Sequence, residues 1–434
     1  MSLATRLGRV GFALRYGARM LRGRRAVLAH LRAPGSADLP MPTFVQLRLT
    51  NLCNLRCKMC GQWGDTGIFR ERGDESASDG EPERRRIREL IGLERQLSLA
   101  DYSRLLDELG PHQPIVSLFG GEPFLYPDIL PLIRDVKRRN LTLNVITNGG
   151  LLERYARELV ESGIDSIAVS FDGPEEVHNR IRGQASSFQK AAAGVRALAE
   201  WRERLGRAAP VLLAIFPITE LNIGAAEAGF LSLRELPLDV INVGLRWFVP
   251  PAVGARYEQV MREAFGVAAT SWRGFEFAWP RTEASSRQMA DLARFLKALR
   301  RRRLFDWATG PHVSFVPDVK PDDVPAYFGE HSQTFGHDLC PVAWYFAQVE
   351  PDGEVCFCGD FPDYSIGNVR SGSFRDIWTG EKAAAFRHKL SQEPLPICAR
   401  CCGSFVYGRW QRPSPPRSFP VGQRPLPVVG RPSP

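Results

Sequence analysis

Three cysteines lie within eight residues, from Cys53 through Cys57 to Cys60. Spacings of four and three residues let one loop turn three thiols toward a common point. A structural zinc site is closed by four ligands, and a four-iron cluster is usually held by four thiolates. Three thiolates from one loop therefore predict a metal with one open coordination position, where chemistry takes place.

The same spacing is also compatible with two simpler interpretations. The thiols are core cysteines that bind no metal, or they belong to a zinc site that is completed by a distant residue. The spacing by itself does not separate these alternatives from an open metal site. The motifs elsewhere in the chain are needed to distinguish them.

The other six cysteines are confined to the C-terminal part of the chain, where they occupy Cys340, Cys356, Cys358, Cys398, Cys401 and Cys402. The 279 residues between Cys60 and Cys340 contain none. Without a secretory signal, nine cysteines favour a reducing compartment, where clustered cysteines more often bind metal than form disulfides. We therefore predict two separate thiol sites and a cytoplasmic location.

Strand-like and helical patterns alternate regularly through the middle of the chain. The strand-like runs are 45–50, 115–119, 142–147, 166–172, 211–217 and 240–249. The alternation predicts a parallel sheet covered by helices, as either an open sheet or an incomplete barrel. In both architectures ligands bind at the carboxyl ends of the strands.

Polar motifs stand at those strand ends. The first strand leads into the cysteine loop, and the next three lead into Gly120-Gly121-Glu122-Pro123, Thr147-Asn148-Gly149 and Ser170-Phe171-Asp172-Gly173. Glycine turns let the backbone approach a ligand, and a carboxylate beside them can hold an ammonium group or a ribose hydroxyl. Each motif alone is typical of an ordinary turn, but four in chain order at one edge indicate a binding site.

The remaining segments carry charge or proline. Residues 1–42 predict a basic amphipathic helix, because the first 37 residues hold eight arginines and no acidic residue. We expect it to pack on the domain, with a membrane-surface helix, a nucleic-acid arm or a transit peptide as alternatives. Residues 61–97 predict a charged loop insertion, 256–335 a helical connector, and 411–434 a disordered or polyproline tail.

The C-terminal cysteines flank a predicted hairpin and a predicted helix. Pro351-Asp352-Gly353 between alternating apolar residues is typical of a hairpin, and 373–390 has a helical pattern. Paired thiols at these spacings suit zinc as well as an iron–sulfur cluster. Six cysteines do not supply four ligands to each of two clusters, so we expect one cluster.

Together these motifs resemble the radical S-adenosylmethionine (SAM) superfamily. The cysteine loop and the three glycine motifs match it in type, order and approximate separation, over roughly residues 43–405. The C-terminal cysteines are similar to those of the SPASM/twitch branch, which holds auxiliary iron–sulfur clusters. The resemblance implies an α/β fold, with a partial (β/α)6 barrel over 43–255 and a small cysteine-rich SPASM/twitch-like domain over 336–410.

The resemblance also implies which cysteines bind iron. Cys53, Cys57 and Cys60 would hold a [4Fe–4S] cluster, and its open iron would be chelated by SAM. One auxiliary [4Fe–4S] cluster would be held by Cys340, Cys358, Cys398 and Cys401. Cys356 and Cys402 are left as spare or substitute ligands.

Further residues would bind SAM itself. Glu122, with the backbone of Gly120 and Gly121, would receive the SAM ammonium group. Ser170 and Asp172 would face the ribose or methionine end, Arg182 would pair with the SAM carboxylate, and Asn148 belongs to the same set. These types fit, because a planar guanidinium suits a carboxylate. Met59 departs from the family, which usually has an aromatic residue there.

The implied activity is reductive cleavage of SAM to a 5′-deoxyadenosyl radical, which abstracts a hydrogen atom from a peptide or protein. Oxidation of a small polar metabolite is the alternative, and a zinc-stabilised nucleic-acid or membrane adaptor is an alternative of another class. We expect a reductase or flavodoxin-type electron donor as a partner and no nucleic acid. Peripheral membrane contact through the N-terminal helix stays open, and no substrate acid or base is identified.

Overall fold

A ten-stranded sheet organises the protein. The computed structural model describes residues 3–32, 39–69, 95–306, 310–337 and 339–405. The strands are β1 (Phe44–Arg48), β2 (Ile115–Phe119), β3 (Thr142–Thr147), β4 (Ser166–Ser170), β5 (Val211–Ile218), β6 (Val240–Leu245), β7 (His312–Val316), β8 (Phe346–Val349), β9 (Glu354–Cys356) and β10 (Ser365–Asn368). Their order across the sheet is β10-β9-β8-β1-β2-β3-β4-β5-β6-β7. The predicted tail at 411–434 and most of the predicted loop at 61–97 lie outside the described residues.

Helices connect the strands and cover one face of the sheet. They are α1 (Leu3–Arg32), α2 (Leu99–Leu109), α3 (Ile129–Arg138), α4 (Leu152–Glu161), α5 (Glu175–Arg182), α6 (Ser187–Arg204), α7 (Ala226–Arg234), α8 (Pro251–Phe265), α9 (Glu283–Asp306), α10 (Val324–Gly329), α11 (Val342–Tyr345), α12 (Phe374–Thr379), α13 (Glu381–Gln392) and α14 (Cys402–Phe405). Ser98 begins α2 with a reciprocal capping box to Asp101.

The α/β fold with a parallel sheet core is confirmed. Strands β1 to β6 are the six predicted runs, and they pair in parallel in chain order. The sixth run is shorter than predicted, because Val249 leaves the sheet and bridges to Glu276. The predicted helical connector also contains a strand, β7, which pairs in parallel with β6. Its alternating His312–Val316 sequence was the overlooked signal.

Alternation along the strands separates two environments. In β1, Val45 and Leu47 are completely buried, and they join one hydrophobic core with the helices. The intervening side chains of β1 point to the opposite face of the sheet, because successive residues in a strand alternate. The sequence of β1 therefore fixes which residues face the helices and which face the other side.

The C-terminal part joins the same sheet. Strand β8 pairs in parallel with β1, so that Phe44 lies opposite Phe346 and Leu47 opposite Val349. Strands β8 and β9 form the predicted antiparallel hairpin. The predicted helix at 373–390 is divided into α12 and α13 at Gly380, which has an extended backbone. The hairpin that contains Cys356 and leads to Cys358 is thus hydrogen-bonded to the strand that precedes the first cysteine loop.

The basic helix α1 packs on the domain. Val27 is buried, and the main-chain oxygen of Met20 accepts a hydrogen bond from the Tyr345 hydroxyl at 3.1 Å. Leu14 and Leu21 remain exposed on its other side. Among the described residues, no helix combines the length and apolar character needed to cross a membrane.

Candidate functional site

The first cysteine loop, residues 53–60, follows β1 at the carboxyl edge of the sheet. All three of its thiols are free and partly exposed. Backbone N–H groups point at the sulfurs: Leu55 donates to Cys53 Sγ at 3.5 Å, and Gln62 donates to Cys60 Sγ at 3.4 Å. Such donors stabilise thiolates and tune the potential of a bound cluster. The loop is therefore built to present three sulfurs.

The loop is fixed by the glycine motif after β2. The N–H groups of Gly121 and Glu122 donate to the carbonyl oxygens of Thr50 and Leu52, both at 2.7 Å. A side chain at Gly121 would place its Cβ 2.1 Å from the Leu52 oxygen. Glycine is required here because the two chain segments touch, and Gly120 has a φ of +148°.

Glu122 joins the ends of β2 and β3. Its buried carboxylate accepts hydrogen bonds from Thr147 Oγ1 at 2.7 Å and from the Asn148 N–H at 2.9 Å. Burial raises the pKa of Glu122, and these donors oppose the rise. Asn148 in turn donates to Asn54 Oδ1 at 2.8 Å. The predicted SAM-binding residues Glu122 and Asn148 are thus in contact with each other and with the cysteine loop.

Asp172 and Arg182 form a buried ion pair. Arg182 binds both carboxylate oxygens of Asp172 through Nε and Nη2, with a distance of 3.0 Å from Nη2 to Oδ1. The pair lies beside Cys57: burial raises the pKa of Cys57 to about 12, and the Arg182 charge opposes that rise. Ser170 ends β4 at the same edge, partly buried. The resemblance assigns Asp172 and Arg182 to different parts of SAM, whereas in this structure they bind each other.

His178 was not identified from the sequence. It is fully buried, its Nδ1 accepts from the Asp172 N–H at 3.1 Å, and its Nε2 lies 3.0 Å from Ser187 Oγ. Burial, assisted by Arg182, lowers the pKa of His178 to about 4. A neutral imidazole therefore fixes the loop that carries Asp172. Its position in the first turns of α5, six residues after Asp172, is the signal that was missed.

The structure brings the four C-terminal cysteines predicted as ligands together. They come from the segment before α11, the segment after β9, and the turn at 396–401. A hydrogen bond between Cys340 and Cys398, together with burial, raises the pKa of Cys398, and the thiols of Cys401 and Cys358 add to it. We call this set the rear cysteine group, consisting of Cys340, Cys358, Cys398 and Cys401. In so little water these four side chains would repel one another as thiolates, so they are stable in that form only around a metal.

The two remaining cysteines have other partners. Cys402 donates to Asp360 Oδ2 at 2.8 Å, and these two side chains lie within 4.8 Å of the Cys401 sulfur. The Cys356 sulfur lies 3.9 Å from Glu350 Oε1. Cys402 is therefore adjacent to the rear cysteine group, while Cys356 contacts Glu350 and, at 3.7 Å, the main-chain oxygen of Cys358.

The donor sets fit iron–sulfur clusters. The cysteine loop offers three thiols beside polar groups that suit a ligand with an ammonium and a carboxylate, and the rear cysteine group offers four thiols. Soft thiolate ligands suit iron–sulfur clusters or zinc. Geometry alone leaves both metals open for the rear group, and similarity to known proteins distinguishes them.

Two family models match the chain. Residues 47–202 match the radical SAM superfamily, and residues 340–402 match the SPASM iron–sulfur cluster-binding domain. The second match covers the whole rear cysteine group. The enzyme interpretation is thereby confirmed, and the zinc-stabilised adaptor is set aside.

Individual relatives match this chain over most of its length. A cofactor-modifying protein for tungsten-containing aldehyde ferredoxin oxidoreductase from Pyrococcus furiosus is 23% identical, over 82% of this chain and 86% of its own. Pre-heme d1 synthase from Dinoroseobacter shibae is 24% identical, over 83% and 78%. The subtilosin biosynthesis protein AlbA from Bacillus subtilis is 22% identical, over 89% and 72%.

Solved structures share the fold. Streptococcus suis SuiB, in a crystal structure with its precursor peptide SuiA, matches with a TM-score of 0.52 and 14% identity, over 85% of this chain and 72% of that one. This likeness is evidence for the fold alone. The family matches and the two thiol sites lead to one conclusion: the chain belongs to the radical SAM superfamily, as an enzyme that uses a SAM-binding [4Fe–4S] cluster and carries an auxiliary iron–sulfur cluster in a C-terminal SPASM domain.

Proposed function

We propose that this enzyme abstracts a hydrogen atom from a peptide or protein and thereby modifies it. One observation carries the proposal of radical chemistry: a single loop presents Cys53, Cys57 and Cys60 next to the buried Asp172–Arg182 pair. When bound, the cluster and SAM supply an electron and a 5′-deoxyadenosyl radical. The protein residues bind, orient and exclude water around that chemistry.

The chain's own residues divide this work. Cys53, Cys57 and Cys60 would hold the first cluster, and the rear cysteine group would hold the auxiliary one. The SAM-binding set would be Gly120, Gly121, Glu122, Asn148, Ser170, Asp172 and Arg182. Because Asp172 already occupies the Nε–Nη2 edge of Arg182, Arg182 would act on SAM as a neighbouring charge and through Nη1 rather than through that edge.

Two similar proteins support a peptide substrate, whereas other relatives support a different substrate. AlbA participates in subtilosin biosynthesis, and SuiB binds the precursor peptide SuiA. Other relatives are haem synthases, for example the AdoMet-dependent heme synthase of Methanosarcina barkeri, 24% identical over 83% of this chain. Those relatives support a small polar metabolite as the second candidate substrate.

A deuterium-transfer experiment tests the proposal. Anaerobically reconstituted protein is given SAM, dithionite and an extract of deuterated cells, divided by size and with or without protease treatment. We expect deuterium in the released 5′-deoxyadenosine only with the protease-sensitive, larger fraction. Transfer from the small-molecule fraction would favour the second candidate, and absence of any 5′-deoxyadenosine would refute the radical chemistry.

The electron donor and the cellular location belong to the same proposal. A reductase or flavodoxin-type protein would reduce the cluster in the cytoplasm. The exposed Leu14 and Leu21 on α1, with the arginines around them, would allow peripheral membrane contact. Sedimentation with anionic vesicles at low salt tests that contact, and failure to sediment would rule it out.

A further inference from the structure

The sheet face opposite the helices carries a polar row. At one level of the sheet, neighbouring strands align Gln348, Gln46, Ser117, Asn144 and Ser166 in register. Asn144 connects two of its neighbours, donating to Ser117 Oγ at 3.2 Å and accepting from Ser166 Oγ at 3.1 Å. Three of these side chains, Gln348, Ser117 and Ser166, are buried. A buried polar row on the face away from the helices indicates an interior that suits a polar molecule.

Arg48 lies two residues after Gln46, on the same face of β1 and nearer the cysteine loop. Its side chain is only 4% exposed, and Nη1 donates to Glu350 Oε2 at 3.1 Å. Within the described residues, its buried Nε and Nη2 atoms have no hydrogen-bond partner. Leaving charged donors buried and unpaired is costly, and buried donors normally have partners. The unfilled edge of Arg48 therefore calls for a ligand.

Glu350 binds Arg48 and also Gln348, whose side chain has a buried atom without a partner among the described residues. The Gln348 Nε2 amide donates to Glu350 Oε1 and to the Gly359 carbonyl oxygen, the latter at 2.9 Å. Since both of those partners are acceptors, the orientation of the amide is determined. Gln348 Oε1 is then buried without a donor among the described residues. The Glu350 carboxylate thus binds both side chains. Each of them keeps buried atoms that no described residue pairs: two donors on Arg48 and one acceptor on Gln348.

Arg182 shows which chemical group binds the Nε–Nη2 edge of an arginine in this protein. Arg182 uses the same two atoms, Nε and Nη2, to hold both oxygens of the Asp172 carboxylate. The spacing of these N–H groups matches a carboxylate, and such forked pairs are strong and directional. In Arg182 the edge is filled from within the chain, whereas no residue that the structure describes fills it in Arg48.

The location suits a substrate. Arg48 lies five residues before Cys53, and its partner Glu350 lies at the end of β8, eight residues before Cys358. The Arg48 charge also acts on Cys356 and on Asp360, the partner of Cys402. The Arg48–Glu350 pair therefore joins the strand that leads into the cysteine loop to the strand that leads toward Cys358.

We propose that Arg48 binds a carboxylate of the substrate through Nε and Nη2, and that Gln348 Oε1 accepts an N–H or O–H from the same molecule. This inference rests on the proposed function, because it names the chemical class of that function's substrate. The carboxylate is either an acidic side chain or C-terminus of a peptide, or the acid group of a small metabolite.

Variants of Arg48 separate binding from folding. Arg48→Lys keeps the charge and the partner Glu350 but loses the forked edge. The double variant Arg48→Gln/Glu350→Gln removes the pair without leaving one charge buried alone. Arg202→Lys is the matched control, because Arg202 is also buried and paired with a carboxylate, that of Asp239.

The first measurement uses defined probes on the reconstituted holoprotein. Thermal stability is recorded with glutarate, glutaramide, inorganic phosphate, and a short acetylated glutamate peptide or its glutamine counterpart, at matched ionic strength. We expect carboxylates to raise Tm while the amides do not, and we expect Arg48→Lys to weaken carboxylate binding about tenfold or more. Preference for glutarate or for the glutamate peptide distinguishes the two sources. Equal stabilisation by amides, preference for phosphate, or an unchanged response in Arg48→Lys would overturn the inference.

The second measurement separates this inference from the proposed function. Release of 5′-deoxyadenosine without substrate should be the same in wild type, Arg48→Lys and Arg202→Lys, because Arg48 is assigned to substrate and not to SAM. Weaker SAM binding in Arg48→Lys alone would overturn the assignment. No 5′-deoxyadenosine from the wild type would instead refute the radical chemistry, while probe binding would still report on Arg48.

Discussion

The two thiol sites of this protein are built in opposite ways. The cysteine loop takes its three thiols from eight consecutive residues, and all three are partly exposed. The rear cysteine group takes its thiols from separate segments, and Cys340, Cys398 and Cys401 are buried. Arg400, within the rear segment, donates to the main-chain oxygens of Tyr327 and Glu330. The first site is local and accessible, while the second is part of the core.

This difference predicts different consequences of damage. A local loop can lose a ligand without disturbing the sheet, because its backbone is fixed by hydrogen bonds to the glycine motif after β2. The rear cysteine group connects separate segments within the core, so the loss of one ligand there should lower the folding stability more. We therefore expect the cysteine loop to govern activity and the rear cysteine group to govern stability as well.

Replacing Cys57 should have the largest effect on chemistry. In Cys57→Ala, 5′-deoxyadenosine release should fall below detection, because two thiolates do not hold the cluster. Iron and sulfide at the rear group should remain, and Tm should change by only a few degrees. Metal analysis and chromatography of the products measure both quantities. Complete loss of iron from this variant would contradict the independence of the two sites.

Replacing Cys398 should have the largest effect on stability. Cys398→Ala removes a buried ligand from the four-thiol site, so the auxiliary iron should be lost and Tm should fall by more than in Cys57→Ala. Thermal unfolding under anaerobic conditions makes the comparison, with Cys57→Ala as the control. If the two variants proved equally stable, the assignment of a structural role to the rear group would fail.

Acid should weaken the region behind the cysteine loop through His178. Its pKa is about 4 in the folded protein and about 6.5 when unfolded, so the unfolded chain binds the proton first. Stability from this group is complete above pH 6.5 and declines as pH falls, by roughly 1 kcal/mol at pH 5.5 and about 3 kcal/mol near pH 4.

Urea unfolding between pH 7.5 and 5.5 measures this linkage. His178→Gln should show a shallower loss of stability over that range than the wild type. His388→Gln is the control, because His388 lies on the exposed side of α13. An unaltered slope in His178→Gln would indicate that His178 is not the group responsible.

The smallest effect is expected at Cys356. Its sulfur lies 3.9 Å from Glu350 Oε1 and 3.7 Å from the main-chain oxygen of Cys358, and it is not one of the four predicted ligands. Cys356→Ala should therefore keep full iron content and lose only about 1 kcal/mol from a small buried cavity. Iron analysis beside Cys398→Ala provides the comparison. Loss of auxiliary iron in Cys356→Ala would make it a ligand and widen the group to five thiols.

The sequence determined the parts of this protein that depend on neighbouring residues. The cysteine loop, the glycine motifs at the strand ends and the alternation in β1 to β6 are all local patterns, and they were sufficient to predict the fold class and both groups of cysteines. The short strand β7 was missed because one half-buried run within a helical region carries a weak signal.

Only the tertiary structure decided which distant side chains meet. The pairing of β8 with β1 brings Glu350 to Arg48 across 302 positions of sequence, and no local pattern encodes that contact. Likewise, the pairing of Asp172 with Arg182 and the buried His178 behind them depend on how α5 folds back on β4. Such contacts are decided by packing and by the cost of burying unpaired charge, which are properties of the folded chain rather than of its sequence pattern.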